Sequence, residues 1–392
     1  MRDAYIVQSV RTPGCKQNRG LFKETRPEEL ISFIMKKAVE KTEGLEPEHI
    51  DDVMLGCAFP EAEQGLNLGR IAPKMAGFPD KVSGATVNRF CASGLEAIAL
   101  ASIRVQMGWS DVTIGAGVES MTFVPMGGNQ PRPHPEFSVS NPEMYISMGI
   151  TAENVASRYD ISREDQDKFA ANSQAKALKA KEEGLFTEII PTPAYKYVKQ
   201  ADGTYKKEEF LVEHDDGIRP SSAEGLAKLR TVFSATGSVT AGNSSQTTDG
   251  AAATIIASKE KCDELGLKPI AKLVSYATIG CKSDEMGVGP RYAIPKVLEQ
   301  AGLTIDDIDI YEINEAFASQ ALYCIRELGL DNYMDRINIH GGAIALGHPL
   351  GCTGAKLTAT CIANLKELKG KYGIVSMCIG GGMGAAAIFE LI

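Results

Sequence analysis

The stretch Ala85-Thr-Val-Asn-Arg-Phe-Cys91-Ala-Ser-Gly-Leu-Glu-Ala-Ile-Ala-Leu-Ala101 decides how the rest of the chain is read. It opens on a short apolar segment, turns at Asn88–Phe90 and continues as a run rich in Ala, Leu and Ile. That is the pattern of a strand feeding a helix, with Cys91 at the joint. A helix start offers unpaired backbone N–H groups and the positive end of the dipole, both of which favour a thiolate over a thiol. Leu95, Ile98, Ala99, Leu100, Ile103 and Val105 leave the helix nearly apolar all round, so it is expected to lie buried between layers. A thiol at the end of such a helix, aimed at a cleft, is placed as a nucleophile. The competing reading is one more inert cysteine, since free Cys is among the most buried residues.

Working outward, 392 residues are long for one domain and predict two or three. The composition is that of an ordinary globular protein, 44% apolar and 23% charged. Thirty-nine Gly and 18 Pro point to tight turns and close backbone approaches rather than disorder. A net charge of −9 with no dense Lys/Arg run argues against a nucleic-acid surface, though a local basic patch would suffice for a small anion. Nine cysteines, scattered without CxxC pairs, read as a reducing compartment and not as a disulfide framework or zinc site. Met1-Arg-Asp passes directly into Ala4-Tyr-Ile-Val-Gln-Ser-Val10, a strand pattern with no signal peptide, presequence or bilayer-spanning run. The expectation is a cytoplasmic protein that does not enter membranes.

The order of elements around Cys91 recurs near the C-terminus. Gly302-Leu-Thr-Ile-Asp-Asp-Ile-Asp-Ile-Tyr-Glu-Ile-Asn-Glu-Ala-Phe317 echoes residues 44–59 in its Gly-Leu, Ile-Asp-Asp and closing Ala-Phe. The run from Cys352 to Ala363 echoes Cys91 to Ser102 as a Cys-headed apolar helix, and Tyr372 to Cys378 stands where Val112 to Val118 stood. Strands alternating with helices predict an α/β fold of two homologous halves about a pseudo-twofold axis, with the Cys-headed helices at its centre. Residues 119–249 differ in texture: Pro- and Gly-rich loop, helices from Thr151 and after Ser162, and a polar hairpin over 195–210 turning at Asp202-Gly. They predict an inserted lobe. The expected division is 1–118 and the return segment 250–268 for the first half, 119–249 for the lobe and 269–392 for the second half.

Three further places can carry chemistry. Gly341-Gly-Ala-Ile-Ala-Leu-Gly-His-Pro-Leu-Gly-Cys-Thr-Gly354 sets five Gly around His348, more backbone freedom than a core His needs, so His348 is a candidate base. Its bland alternative is a helix-capping His among structural glycines. Ser376-Met-Cys-Ile-Gly-Gly-Gly-Met-Gly384 puts Cys378 after a buried strand and ahead of backbone N–H groups suited to an oxyanion. It lacks the strand–helix unit with a downstream acid that a dinucleotide site requires, so neither nicotinamide nor flavin is expected. Asn314, at a strand end, can hold a water or a carbonyl, or be a plain turn residue. All four side chains fall at ends that the two halves bring to one cleft.

Together with Val239-Thr-Ala-Gly-Asn-Ser-Ser-Gln246 and Asn314-Glu-Ala-Phe317, these segments resemble the thiolase family in content and order, from the first strand to the last. The resemblance implies a layered αβαβα core with an inserted loop domain, a homodimer or homotetramer, and room for a multifunctional β-oxidation subunit as partner. It implies 3-ketoacyl-CoA, CoA and acetyl-CoA as substrates and products, with coenzyme A as co-substrate and no metal. By motif, Cys91 is the acylated nucleophile, His348 its base, and Cys378 the acid/base at carbon. Asn314 (through a water) and His348 form one oxyanion hole, and the N–H groups of Cys91 and Gly380 the other. Ser245, Ala241 and Gly242 are implied near pantetheine, Met148 and Phe317 along the channel, and Arg219 near the nucleotide. Ser147 replaces a His of short-chain biosynthetic members and Gly225 a Ser. Both departures favour the degradative 3-ketoacyl-CoA branch, in fatty-acid β-oxidation, over an acetoacetyl-CoA thiolase. A decarboxylating ketosynthase would carry His in place of Cys378. A non-catalytic acyl-CoA-binding subunit would have lost one of the four residues, and nothing specific supports a Cys/His hydrolase.

Overall fold

The computed structural model describes residues 2–392. One half pairs its strands in the order Ala4–Arg11, Thr248–Ser258, Val112–Ser120, Asp52–Gly56, Ser83–Val87; the other runs Ala271–Gly280, Met383–Leu391, Tyr372–Ile379, Ile310–Ile313. In each half the first two contacts are antiparallel and the next is parallel. A lone parallel bridge, Tyr311 to Ile337, occupies the place that Ser83–Val87 fills in the first half. The halves meet where Ile6 pairs with Ala271. Two strands flank the lobe: Val112–Ser120 enters it and Thr248–Ser258 returns from it.

Alternation along these strands builds the layers. Val53 and Leu55 face an outer cluster with Leu30, Ile31 and Ile34 of the Pro27–Glu40 helix, whereas Met54 faces inward. In the second half Ile374 faces the outer cluster of Ile294 and Val297, and Val375 and Met377 face inward. Helices Ser93–Gln106 and Thr353–Leu368 form the middle layer between the two sheets, giving five layers in all.

The two central helices cross backbone to backbone. A Cβ on Gly94 would lie 2.8 Å from the Ala355 nitrogen, and one on Gly354 only 2.3 Å from that of Leu95. Gly354→Val is therefore expected to force the helices apart and destabilise the protein by about 3 kcal/mol, read as a lower urea midpoint.

The crossing also corrects the repeat alignment. Helix starts Ser93 and Thr353 correspond, each preceded by a three-residue 3₁₀ turn, Phe90–Ala92 and Leu350–Cys352. Gly351, not Cys352, thus stands opposite Cys91, and Cys352 packs in the central core. Nor is the first central helix buried all round: Glu96 and Leu100 are half-buried, and Ile103 is 46% exposed. An Ala- and Leu-rich helix hides its exposed face from periodicity, because both faces read as apolar.

In the lobe, helix Met148–Arg158 begins ahead of the expected Thr151, whereas Arg163–Glu183 opens at the expected Ser162 cap and continues to a left-handed Gly184 (φ 69°). The hairpin pairs Thr192–Lys199 with Tyr205–Val212. Among the described residues no helix is long and apolar enough to cross a membrane.

Candidate active site

The strand-to-helix joint holds Cys91 by a tight elbow. Phe90 takes φ 43°, unusual for a side-chain-bearing residue, and Asn88 Oδ1 accepts from the Phe90 N–H at 2.8 Å. Ser93 Oγ accepts from the Arg89 N–H (2.9 Å) and donates to the Phe90 carbonyl (2.7 Å). The Arg89 guanidinium grips Glu96 at 2.7 and 3.1 Å. These contacts turn the Cys91 side chain into a nearly closed space, 8% exposed, where its sulfur faces the N–H groups of Gly380 and of Cys91 itself.

Burial pushes the Cys91 thiol up to about 12, against the pull of those two amides. This overturns the expected resting thiolate. The helix begins two residues beyond the sulfur, and desolvation outweighs the dipole there. Cys378 is fully buried on the Tyr372–Ile379 strand, whose end packs against the Phe90–Ala92 turn. Its thiol is raised well above the ordinary range by burial and then by neighbouring Cys91. After it, Gly381 and Gly382 take φ 81° and 87°, a left-handed turn suited to glycine, just past the Gly380 amide that faces the Cys91 sulfur.

His348 is held by a chain of hydrogen bonds. Its backbone N–H donates to the Gln246 carbonyl at 2.9 Å. Nδ1 lies 2.6 Å from Thr353 Oγ1, which donates to the Pro349 carbonyl at 3.1 Å. The hydroxyl's single proton is thereby committed, so Nδ1 carries the ring proton and Nε2 presents its lone pair. Asn314 Nδ2 sits 3.4 Å from that Nε2, and Asn314 Oδ1 is buried without a protein partner. Burial, then Lys356, pull the imidazole down to about 3, so it is a neutral base throughout the physiological range.

Cys91, His348, Cys378, Asn314 and Gly380 therefore converge at the ends of corresponding elements. Glu119, which sequence reasoning missed, braces them from behind. Its buried carboxylate accepts from the N–H groups of Ala58 (2.8 Å) and Gly351 (2.7 Å) and from Gln64 Nε2 (2.7 Å). An acid closing the apolar run of Val112–Ser120 was the available signal.

The six residues expected around coenzyme A separate into three places. Arg219, Ala241 and Gly242 line one groove of about 530 Å³, together with Ser222, Gly225 and Leu229. Met148 and Phe317 lie in an apolar cluster with Phe233, Met286 and Cys378, and Met148 Sδ comes 3.4 Å from where a Gly380 Cβ would be. Ser245 lies outside the groove lining, on the segment that ties Phe317 to His348: its N–H donates to the Ala316 carbonyl at 2.9 Å. Among the described residues no group of three or more His, Cys, Asp or Glu is arranged to hold a metal ion.

Residues 4–260 match the family described as thiolase, N-terminal domain, and residues 267–391 match thiolase, C-terminal domain. The chain is 48% identical to the 3-ketoacyl-CoA thiolase of Bacillus subtilis (strain 168), over the whole of both chains. It superposes on the acetyl-CoA acetyltransferase of Bacillus anthracis with a TM-score of 0.89 at 38% identity, covering 100% of this chain and 99% of that one. Against the dimeric peroxisomal thiolase of Saccharomyces cerevisiae the TM-score is 0.88 at 41% identity, covering 100% and 98%.

Proposed function

Because the chain belongs to the thiolase family, we propose that it is a 3-ketoacyl-CoA thiolase, an acyltransferase of fatty-acid β-oxidation that cleaves 3-ketoacyl-CoA with CoA to acetyl-CoA and a shortened acyl-CoA. The observation that carries this reading is the Cys91 sulfur facing two backbone N–H donors with a second buried thiol, Cys378, as its neighbour, while Asn314 meets a neutral His348 at 3.4 Å.

Burial of both groups disfavours a resting thiolate–imidazolium pair at Cys91 and His348, so proton transfer and attack are coupled. His348 Nε2 takes the Cys91 proton as the sulfur bonds to the ketone carbon, and the charge passes to the carbonyl oxygen between the N–H groups of Cys91 and Gly380. Collapse breaks the C2–C3 bond. The departing acetyl-CoA enolate is held by His348 Nε2–H and Asn314, the latter through a water, and takes its proton from the Cys378 thiol. In the second half, Cys378 recovers a proton from the CoA thiol, whose sulfur attacks the acyl-Cys91 thioester. Cys91 leaves as thiolate and regains its proton from His348. Both thiols and the imidazole end as they began.

The groove of Arg219, Ala241 and Gly242 would take the nucleotide end of CoA, and Met148, Phe317 and Ser245 the pantetheine arm. The assembly is read as a homodimer: Ser83–Val87, terminal in its sheet, and the exposed Ile103 offer an edge and an apolar face for a second copy. Nine unpaired thiols fit a reducing cytoplasm. The deciding assay is the absorbance of the magnesium-complexed 3-ketoacyl-CoA enolate. It is expected to fall only when CoA is added; a fall without CoA would mean hydrolysis, and no fall a binding subunit.

A further inference from the structure

Behind His348 lies a buried ionic cluster that the reaction above does not use. Arg11, from the first strand, is fully buried and grips Asp215 at 2.8 and 3.0 Å and Glu188 at 2.9 Å. Asp215 also accepts from the Gly14 N–H (2.6 Å), and Glu188 from the Thr360 hydroxyl (3.0 Å). Glu312, from the second half, accepts from Asn364 Nδ2 at 2.9 Å and is pushed by burial to about 8, so it carries a proton near neutrality. Among these sits Lys356, 3% exposed, in the first turn of the central helix. Burying an ammonium at a helix N-terminus is doubly unfavourable, from desolvation and from the dipole.

The hydrogen bond that Lys356 makes goes not to an acid but to the Gly347 carbonyl, at 3.3 Å, the residue before His348. Asp215 and Glu188 are already engaged by Arg11, so the two cations face two carboxylates and one neutral acid. Gly347 itself cannot shift freely: it has φ 80°, and a Cβ there would lie 2.3 Å from Thr248 Cγ2.

We propose that Lys356 is a positioning residue for the base, fixing the carbonyl that precedes His348 and holding a positive charge beside the imidazole. The inference rests on the thiolase reading of Cys91 and His348. Burial, then Arg11 from the first strand, lower Lys356 below its ordinary value, and Asp215 from the lobe, Cys352 from the turn before its helix and Glu312 from the second sheet oppose them and favour its charged form. His348 in turn faces Lys356 on one side and Asn314 and Thr353 on the others. The consequence is directional. When His348 accepts the Cys91 proton, the imidazolium forms beside a cation, is a stronger acid than it would otherwise be, and surrenders that proton readily when the acyl group leaves. Lys356 thus hastens return of the base at the expense of its loading.

The test compares the two half-reactions, since a loosened loop slows both alike and only a change in base strength moves them in opposite senses. Acylation of Cys91 by an acyl-CoA donor and deacylation by CoA are timed by rapid quench and mass spectrometry. In Lys356→Met the ratio of deacylation to acylation rate constants is expected to fall about tenfold, one unit of base strength shared between the steps. Lys356→Arg, which keeps the charge, is expected to hold the ratio within about twofold of the original. An unchanged ratio in the methionine variant, or the same fall in the arginine variant, overturns the proposal. If the methionine variant does not fold, Lys356→Met with Glu312→Leu removes the cation and its facing acid together. The same fall is expected there, and its absence is equally decisive. Failure of the unaltered protein to acylate Cys91 would instead overturn the thiolase reading itself.

Discussion

Replacing Cys91 with alanine is expected to lower thiolytic turnover by about 10⁴-fold or more, the scale on which loss of a covalent nucleophile acts. The geometry leaves no substitute. Cys378 is fully buried on the Tyr372–Ile379 strand, with Cys91 as its neighbour, while Cys352 packs in the central core. The amides of Cys91 and Gly380 and the neutral His348 all survive in the variant, so substrate should still bind and the fold should melt as before. The measurement is kcat by loss of the magnesium enolate signal, paired with mass spectrometry after incubation with an acyl-CoA donor. No acyl adduct is expected; an adduct on another residue with retained turnover would move the nucleophile elsewhere.

Cys378→Ala is expected to separate the half-reactions. Cleavage of 3-ketoacyl-CoA should fall by about 10²- to 10⁴-fold, the range attributed to one positioned proton donor. Acylation of Cys91 by a simple acyl-CoA requires no carbon to be protonated and should persist. The reason is a division of labour: His348, whose Nε2 lies 3.4 Å from Asn314 Nδ2, handles the Cys91 proton in the proposed reaction, and the proton for the departing carbon is assigned to the Cys378 thiol. Mass spectrometry of the variant should show acylated Cys91. An unmodified Cys91 would mean that the second thiol serves the nucleophile and not the enolate.

Much of this site was legible because it sits where the chain changes direction. Cys91, His348 and Cys378 have Gly, Pro or Asn close by, Asn314 ends a strand pattern, and a two-fold repeat predicts that such ends meet. The layers were legible for the same reason, since matching order in the two halves implies matching sheets. What failed had physical causes. The match of Cys352 to Cys91 followed residue identity, whereas the true register is set by the Gly94–Gly354 contact, which is invisible before the helices are crossed. The thiolate expectation counted the dipole and omitted burial, which wins at this position. Glu119, Arg11 and Asp215 went unremarked because each has a partner more than two hundred residues away, and Lys356 because its facing acids come from other elements, so no local pattern announces them.

The contact between Gly94 and Gly354 reaches beyond stability. Cys91 lies in the short turn that leads into one crossed helix and His348 just ahead of the turn that leads into the other, so the main-chain contact between the helices fixes where both are delivered. Any tailoring of this scaffold to longer or bulkier acyl groups must then be written in the lobe and its apolar wall of Met148, Phe233 and Met286, which can be redrawn while the jaws of the vice keep their gap.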